Sequence, residues 1–166
     1  MARIVVIGAG RSGLAAAAHF ARIGAEVVLT DRCLEPAPEL VAGLAGLEVP
    51  GVWGAHPLSL LDDCAEVVLS PGVPPGIPFV LEAHERGISV VGELELAHRI
   101  LRERQDGSRI LAVTGTNGKS TTTDLLAHLL KQSGIPAVAC GNLGTPLLAA
   151  MDGTGPGTCY ALECSS

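Results

Sequence analysis

Twice in this chain a short apolar run rich in β-branched residues breaks into glycines and then into a helix-forming stretch. The first is "RIVVIGAGRSGLAAAAHF" near the start, and the second is "RILAVTGTNGKSTTTDLLAHLL" after residue 108. A run of four or five such residues bounded by glycine reads as a strand buried on both faces. Strands of that kind belong to parallel sheets covered by helices, which restricts the chain to α/β architectures. Aromatics are 2% and apolar residues 48% of the chain, so its core is built from Ala, Val, Leu and Ile.

The pattern continues between the two stretches. A helix is expected over "SGLAAAAHFARIG", ending at Gly24, then a strand from Glu26 to Thr30 with Asp31 at its end. "PELVAGLAG" reads as a short helix and "EVPGVWG" as a strand weakened by Pro50 and Gly51. Glu66 to Leu69 is a further strand, running into a proline-glycine loop that ends at Gly76. "PFVLEAHERG" is a helix with Pro78 in its first turn, "ISVVG" a strand, and "ELELAHRILRER" an amphipathic helix with Leu94, Leu96, Ala97 and Leu101 as its apolar positions. Polar Gln105–Ser108 reads as a linker. The expected organisation is a Rossmann-like parallel-sheet domain over 1–104, a linker over 105–108, and the first part of a P-loop-type ATP-binding α/β domain over 109–166. The second module has about three strands and two helices, and its last strand has no helix after it. The chain is therefore expected to stop inside its second domain.

A net charge of −6 argues against a general nucleic-acid binder, although mononucleotides need only a few local groups. Five cysteines, Cys33, Cys64, Cys140, Cys159 and Cys164, form no CxxC pair and no zinc spacing, as for free thiols in a reducing compartment. The apolar run Ile4–Ile7 is too short for a signal core, and no run approaches a membrane span. A soluble, cytoplasmic monomer without membrane or nucleic-acid partners is expected.

Two loops carry chemistry. A strict P-loop would place its first glycine at position 113, which is Val113; the glycine stands instead at Gly115. The physics is unchanged. The backbone of Gly115, Thr116, Asn117 and Gly118 can cradle phosphates at a helix start, Lys119 can reach the β- and γ-phosphates, and the hydroxyl of Ser120 or Thr121 can sit on Mg²⁺. In the first loop, Gly8, Gly10 and Gly13 satisfy GxGxxG between a strand and a helix, with Asp31 closing the next strand. From the residues alone, NAD or FAD is the default ligand. Ser70-Pro71-Gly72 follows a strand, where open α/β sheets bind ligands, but from the residues alone reads first as a plain proline turn, and Glu163 is a lone acid at a strand end. The histidines (His19, His56, His84, His98, His128) lack metal-ligand spacing and read as structural or solvated; Asp62-Asp63 reads as a solvated pair, and Glu93 and Glu95 as helix-start carboxylates.

"TGTNGKST" resembles the ATP loop of the Mur ligases, which also occurs in folylpolyglutamate synthetases, and whose variant carries its first glycine at the place of Gly115. "GAGRSG", "LSPGVP", "CGNLG" and "ALECSS", in this order, resemble the branch that adds D-glutamate to UDP-N-acetylmuramoyl-L-alanine. The serine after Lys119 and the asparagine at Asn117 point to the same branch. The resemblance implies an ATP-dependent amide ligase of bacterial cell-wall synthesis that uses Mg²⁺ and an acyl-phosphate intermediate. It implies Lys119 as the catalytic residue and Ser120 and Glu163 as metal ligands, with ATP on residues 115–121. It places Gly8, Gly10, Arg11, Ser12, Gly13, Asp31, Arg32, Ser70, Pro71, Gly72 and Asn142 on the UDP-sugar, and Ser165–Ser166 at the start of a further contact segment. Cys33 stands where the family often has arginine. The rival readings are a nicotinamide- or flavin-dependent oxidoreductase, which leaves the second loop without a role, a sister ligase adding another amino acid, and a nucleotide-binding module without turnover.

Overall fold

The computed structural model describes residues 3–35, 38, 42–142 and 144–165. It divides into two compact units, Met1–Leu96 and Ala97–Ser166.

The first unit runs β1 (Arg3–Ile7), α1 (Arg11–Arg22), β2 (Val27–Asp31), β3 (Gly51–Trp53), β4 (Cys64–Leu69), α2 (Pro78–Glu85) and β5 (Ser89–Gly92), with 3-10 turns at Ala42–Leu44 and Leu58–Leu61. All strand pairs are parallel, in the order β3-β2-β1-β4-β5. β1 is central, which is why Val5, Val6 and Ile7 are wholly buried and the run shows no polar alternation. Successive residues face opposite sides. Val5, Ile7 and Val67 pack with Phe79, Val80 and Ala83 of α2. Val6 and Val68 therefore face the other layer, where α1 lies on β1 and β2. α1 presents buried Ala16, Ala17 and Ala18, small enough to let its backbone approach the sheet, and fills the periphery with Leu14 and Phe20. It stops at Gly24, whose φ of +76° suits glycine.

α3 (Glu93–Arg104) spans the division. Leu96, Ala97 and Leu101 are buried as expected, but Leu94 is 39% exposed and Glu93 is buried in its stead. Glu93, Leu96 and Ala97 share one face at i, i+3 and i+4, while Leu94 lies at its margin, in line with Leu101 two turns later, and stays open in the first turn. Residues 105–108 form a turn with left-handed Gln105 (φ +47°) and Gly107 (φ +82°). Asp106 Oδ1 accepts the Ser108 N–H (2.9 Å), a bond that holds the carboxyl below its ordinary range, and the Gly157 N–H donates to the Asp106 carbonyl (3.0 Å).

The second unit continues with β6 (Arg109–Val113), α4 (Lys119–Gln132), β7 (Ala137–Gly141), α5 (Leu147–Asp152) and β8 (Cys159–Glu163). Its strands are parallel in the order β6-β8-β7, so the strand latest in the chain is the central one. Ala127 of α4 packs on Ala137 and Ala161. Tyr160, Leu147, Leu148 and Met151 are buried, with the Tyr160 hydroxyl 2.6 Å from Thr154 Oγ1. Of the expected helix "PELVAGLAG" (38–46), residues 39–41 lie outside the described residues, as does Ser166; within the rest Ala42–Leu44 is a 3-10 turn and not the expected α-helix. Among the described residues no helix is long and apolar enough to cross a membrane.

Candidate functional site

In the first sheet, β1 sends its chain to one side, through α1 to β2, while β4 lies on the other side. The loops after β1 and β4 therefore leave the sheet at its switch point, at the carboxyl ends of these strands, where open α/β sheets take ligands in a crevice. Gly8–Gly10 line this end on the β1 side and Ser70–Gly72 on the β4 side, the two loops meeting where Ser70 Oγ bonds the Gly8 carbonyl.

The three glycines of the first loop are required for different reasons. Gly8 has φ +97°, and a Cβ there would meet Ser70 and Val73. Gly13 has no room for a Cβ, which would fall on the Gly8 carbonyl oxygen and on Ser70 Oγ; this is the close helix–strand contact of the fingerprint. Gly10 is needed for neither reason. Its φ of −74° and ψ of 176° suit any residue, and nothing lies within 4 Å of a Cβ built on it. Gly72 has the same open surroundings. Bare backbone facing open space on both sides suits the close approach of a ligand.

Gly10 is also the N-cap of α1, with no side-chain cap and no acidic residue in the first turn. The leading N–H groups and the positive end of the helix are thus open to an anion. Arg11 and Arg32 are exposed and Ser12 is half-buried. Asp31 is turned inward. Its Oδ2 accepts the Ala9 N–H at 2.6 Å and its Oδ1 the Cys33 N–H at 2.8 Å. Ser70 Oγ is buried and donates to the Gly8 carbonyl at 3.1 Å. Exposed Cys33 follows on the same loop.

One pair escaped the sequence reading. Buried Thr30 donates its hydroxyl to the Ala55 carbonyl (2.9 Å) and lies 3.1 Å from His56 Nδ1, tying the segment after β3 to the end of β2. Because Thr30 Oγ1 gives its hydrogen to Ala55, His56 Nδ1–H is the donor of the second bond. Burial pushes the His56 pKa down, against the opposing pull of Asp31 and with a smaller lowering push from Arg32; its ring meets Phe79 edge-on. A threonine just before the strand-end acid was the available signal.

In the second unit, Thr114–Gly118 connect β6 to α4, and two left-handed glycines make the turn: Gly115 at φ +145° and Gly118 at +76°. Gly118 caps α4 without a side-chain bond. Thr116, Asn117, Ser120 and Thr121 are exposed around the loop, and Lys119 is half-buried with Nζ 2.7 Å from the Gly115 carbonyl. Glu163 ends β8 in register with Val113, the residue where β6 enters the loop. It is 7% exposed, and its Oε2 is buried without a hydrogen-bond partner. A buried carboxylate oxygen in that condition calls for a cation. Among the described residues no three His, Cys, Asp or Glu side chains gather as a metal site, so hydroxyls and phosphates would complete the shell. Asn142 belongs to this second unit: it is exposed after β7, and its N–H donates to the Glu163 carbonyl at 3.2 Å. Asp62 forms an exposed ion pair with Arg86 (2.9 Å).

The family model described as Mur ligase MurD-like, N-terminal domain, matches residues 2–92, and the Mur ligase middle domain matches residues 113–161. The UDP-N-acetylmuramoylalanine–D-glutamate ligase of Rippkaea orientalis is 45% identical over 87% of this chain and 31% of its own length. That of Pelotomaculum thermopropionicum is 41% identical over 99% of this chain and 35% of its own. The chain thus spans about a third of the length of the curated relatives it matches. The crystal structure of a UDP-N-acetylmuramate:L-alanyl-gamma-D-glutamyl-meso-diaminopimelate ligase from Neisseria meningitides shares the fold, with a TM-score of 0.61 and 21% identity over 98% of this chain and 52% of that one.

Proposed function

We propose, since this chain belongs to the Mur ligase family, that it carries the UDP-sugar crevice and the ATP loop of a ligase joining D-glutamate to UDP-N-acetylmuramoyl-L-alanine. The observation that carries the reading is the end of the second sheet, where a phosphate-cradle loop runs beside a buried carboxylate oxygen with no partner. The names and 41–45% identity of the relatives above support the choice of D-glutamate.

In this reading the uncapped start of α1 and the open backbone at Gly10 and Gly72 receive the diphosphate, with Arg11, Ser12 and Arg32 around the uridine end. Asn142, exposed after β7, is assigned a substrate contact by the family resemblance. A carboxylate is a poor electrophile; transfer of the γ-phosphoryl of ATP makes it an acyl phosphate, whose carbonyl the D-glutamate amine attacks while phosphate leaves. Thr116–Gly118 amides hold the phosphate chain, and Lys119 leaves the Gly115 carbonyl to neutralise charge developing on the transferring group. Glu163 and the Ser120 hydroxyl would hold Mg²⁺, which supplies further charge neutralisation at the phosphates.

Titration calorimetry on the chain tests both sites. UDP-N-acetylmuramoyl-L-alanine and ATP·Mg²⁺ should bind, and NAD should not; Lys119→Ala should lose ATP at least tenfold and keep UDP-sugar affinity. Binding of NAD without UDP would overturn the crevice assignment. Grafted in place of the matching segment of the Pelotomaculum thermopropionicum relative, the chain should support amide formation with D-glutamate, and activity with another amino acid alone would refute the proposed specificity.

A further inference from the structure

We infer that Ser70 and Asp31 are positioning residues that lock a single peptide plane, Gly8–Ala9, at the crevice; the inference rests on the UDP-sugar reading of that crevice. The Gly8 carbonyl and the Ala9 N–H belong to one planar amide and point in opposite directions. Ser70 Oγ, from the end of β4, donates to the carbonyl at 3.1 Å. Asp31 Oδ2, from the end of β2, accepts the N–H at 2.6 Å, a close contact between an amide donor and a carboxyl oxygen. β4 and β2 flank β1 on opposite sides, so the plane is gripped from both.

Glycine at position 8, at φ +97°, leaves this plane free to rotate unless something prevents it. A flip would set the Gly8 carbonyl against the Asp31 carboxylate. It would also remove that oxygen from beneath Gly13, where α1 rests on it without room for a Cβ. The amides that follow, from Gly10 into the uncapped start of α1, keep their direction only while the plane holds.

The same bonds show what these side chains do not do. Asp31 gives one oxygen to Ala9 N–H and the other to Cys33 N–H, so its negative charge is engaged by backbone donors beside a site for an anion. Ser70 is 6% exposed and gives its hydrogen to Gly8. Contact with the diphosphate then falls to backbone amides and the open sides of Gly10 and Gly72.

The test uses the whole 166-residue chain. In the ligand-free protein the Ala9 amide proton should resonate downfield and exchange slowly. Asp31→Ala should remove both properties, and Ser70→Ala should speed Ala9 exchange although Ser70 bonds the other end of the plane. Asp31→Asn and Ser70→Thr, which keep an acceptor and a hydroxyl, should restore much of the protection and serve as folded references. In UDP titrations each alanine variant should bind about tenfold more weakly. The double variant should bind about as weakly as the weaker single one, because a plane released at one end is already released. Multiplicative losses in the double variant, with Ala9 exchange unmoved by Ser70→Ala, would overturn the lock and make both residues independent ligand contacts. Failure of the wild-type chain to bind UDP would instead overturn the crevice assignment, while the ligand-free exchange data would still decide the lock.

Discussion

Gly10 and Gly13 stand three residues apart in one motif, and the structure predicts opposite consequences for the same change. In Gly13→Ala the added methyl falls on the Gly8 carbonyl and on Ser70 Oγ, both held by the sheet. Overpacking of a rigid contact costs about 1–3 kcal/mol, and loss of the Ser70–Gly8 bond adds about 1 kcal/mol. Together that is about 2–4 kcal/mol on a unit of 96 residues, enough to lower its melting midpoint by about 10 °C or more. In Gly10→Ala the methyl enters open space from an unstrained backbone. Alanine is a poorer N-cap than glycine, but restricting the unfolded chain returns about 0.4–1 kcal/mol, so net stability should stay within about 1 kcal/mol of the wild type. The same methyl obstructs ligand approach and should weaken UDP binding about tenfold or more, about 1.4 kcal/mol. Differential scanning fluorimetry and UDP titration on both variants make the assay. A stable Gly13→Ala, or a Gly10→Ala that binds UDP at full strength, would refute the assignment of packing to one glycine and access to the other.

Glu163→Gln removes a buried charge whose Oε2 lacks a partner; the ligand-free second unit should be at least as stable in urea, while Mg²⁺-dependent ATP affinity falls about tenfold or more. A fall in stability would show that the carboxylate has a structural partner. His56, beside Thr30, Asp31 and Arg32, has its pKa pushed below 6.5 by burial, so the folded state disfavours its charged form. Its stabilising contribution is complete above that unfolded value and is lost as pH falls through it toward the lowered folded value. Urea midpoints between pH 7.5 and 5 should therefore decline on acidification, and His56→Gln should flatten part of that slope; an unchanged slope would refute the role given to burial.

Much of this architecture was legible because local signals and tertiary structure agree. Short apolar runs rich in β-branched or small residues located the strands of both sheets, and Pro78 and Gly87 bracketed α2 with its cap. Strand order was not legible. β1 pairs with both β2 and β4, and β8 enters between β6 and β7, and no window of adjacent residues records such pairings. Leu94 fits the stripe of Ala97 and Leu101 at i, i+3 and i+7 yet stays 39% exposed in the first turn, whereas Glu93, one turn before Leu96 and Ala97, is covered. At the crevice the motif marked Gly8, Gly10 and Gly13 alike, and only the surrounding atoms separate conformation, access and packing. Asp31 was legible as important. That both its oxygens meet backbone N–H groups depends on the fold of two loops 22 residues apart.

The position of β8 bears on how the second unit is made during synthesis. Among the described residues β6 and β7 do not pair with each other and each pairs with β8, which leaves the ribosome last of the three. Joining β6 to β8 closes a loop of about 50 residues, at an entropic cost of about 3–4 kcal/mol before any pairing is rewarded. Until Cys159–Glu163 emerges, α4 has no central strand on which to rest and both outer strands keep unpaired edges. The first unit has no such delay, since β1 can pair with β2 as soon as α1 has formed between them. Translation therefore leaves an interval in which a finished crevice precedes an unfinished phosphate loop, and the second unit is the part of the nascent chain open to mispairing and to chaperones.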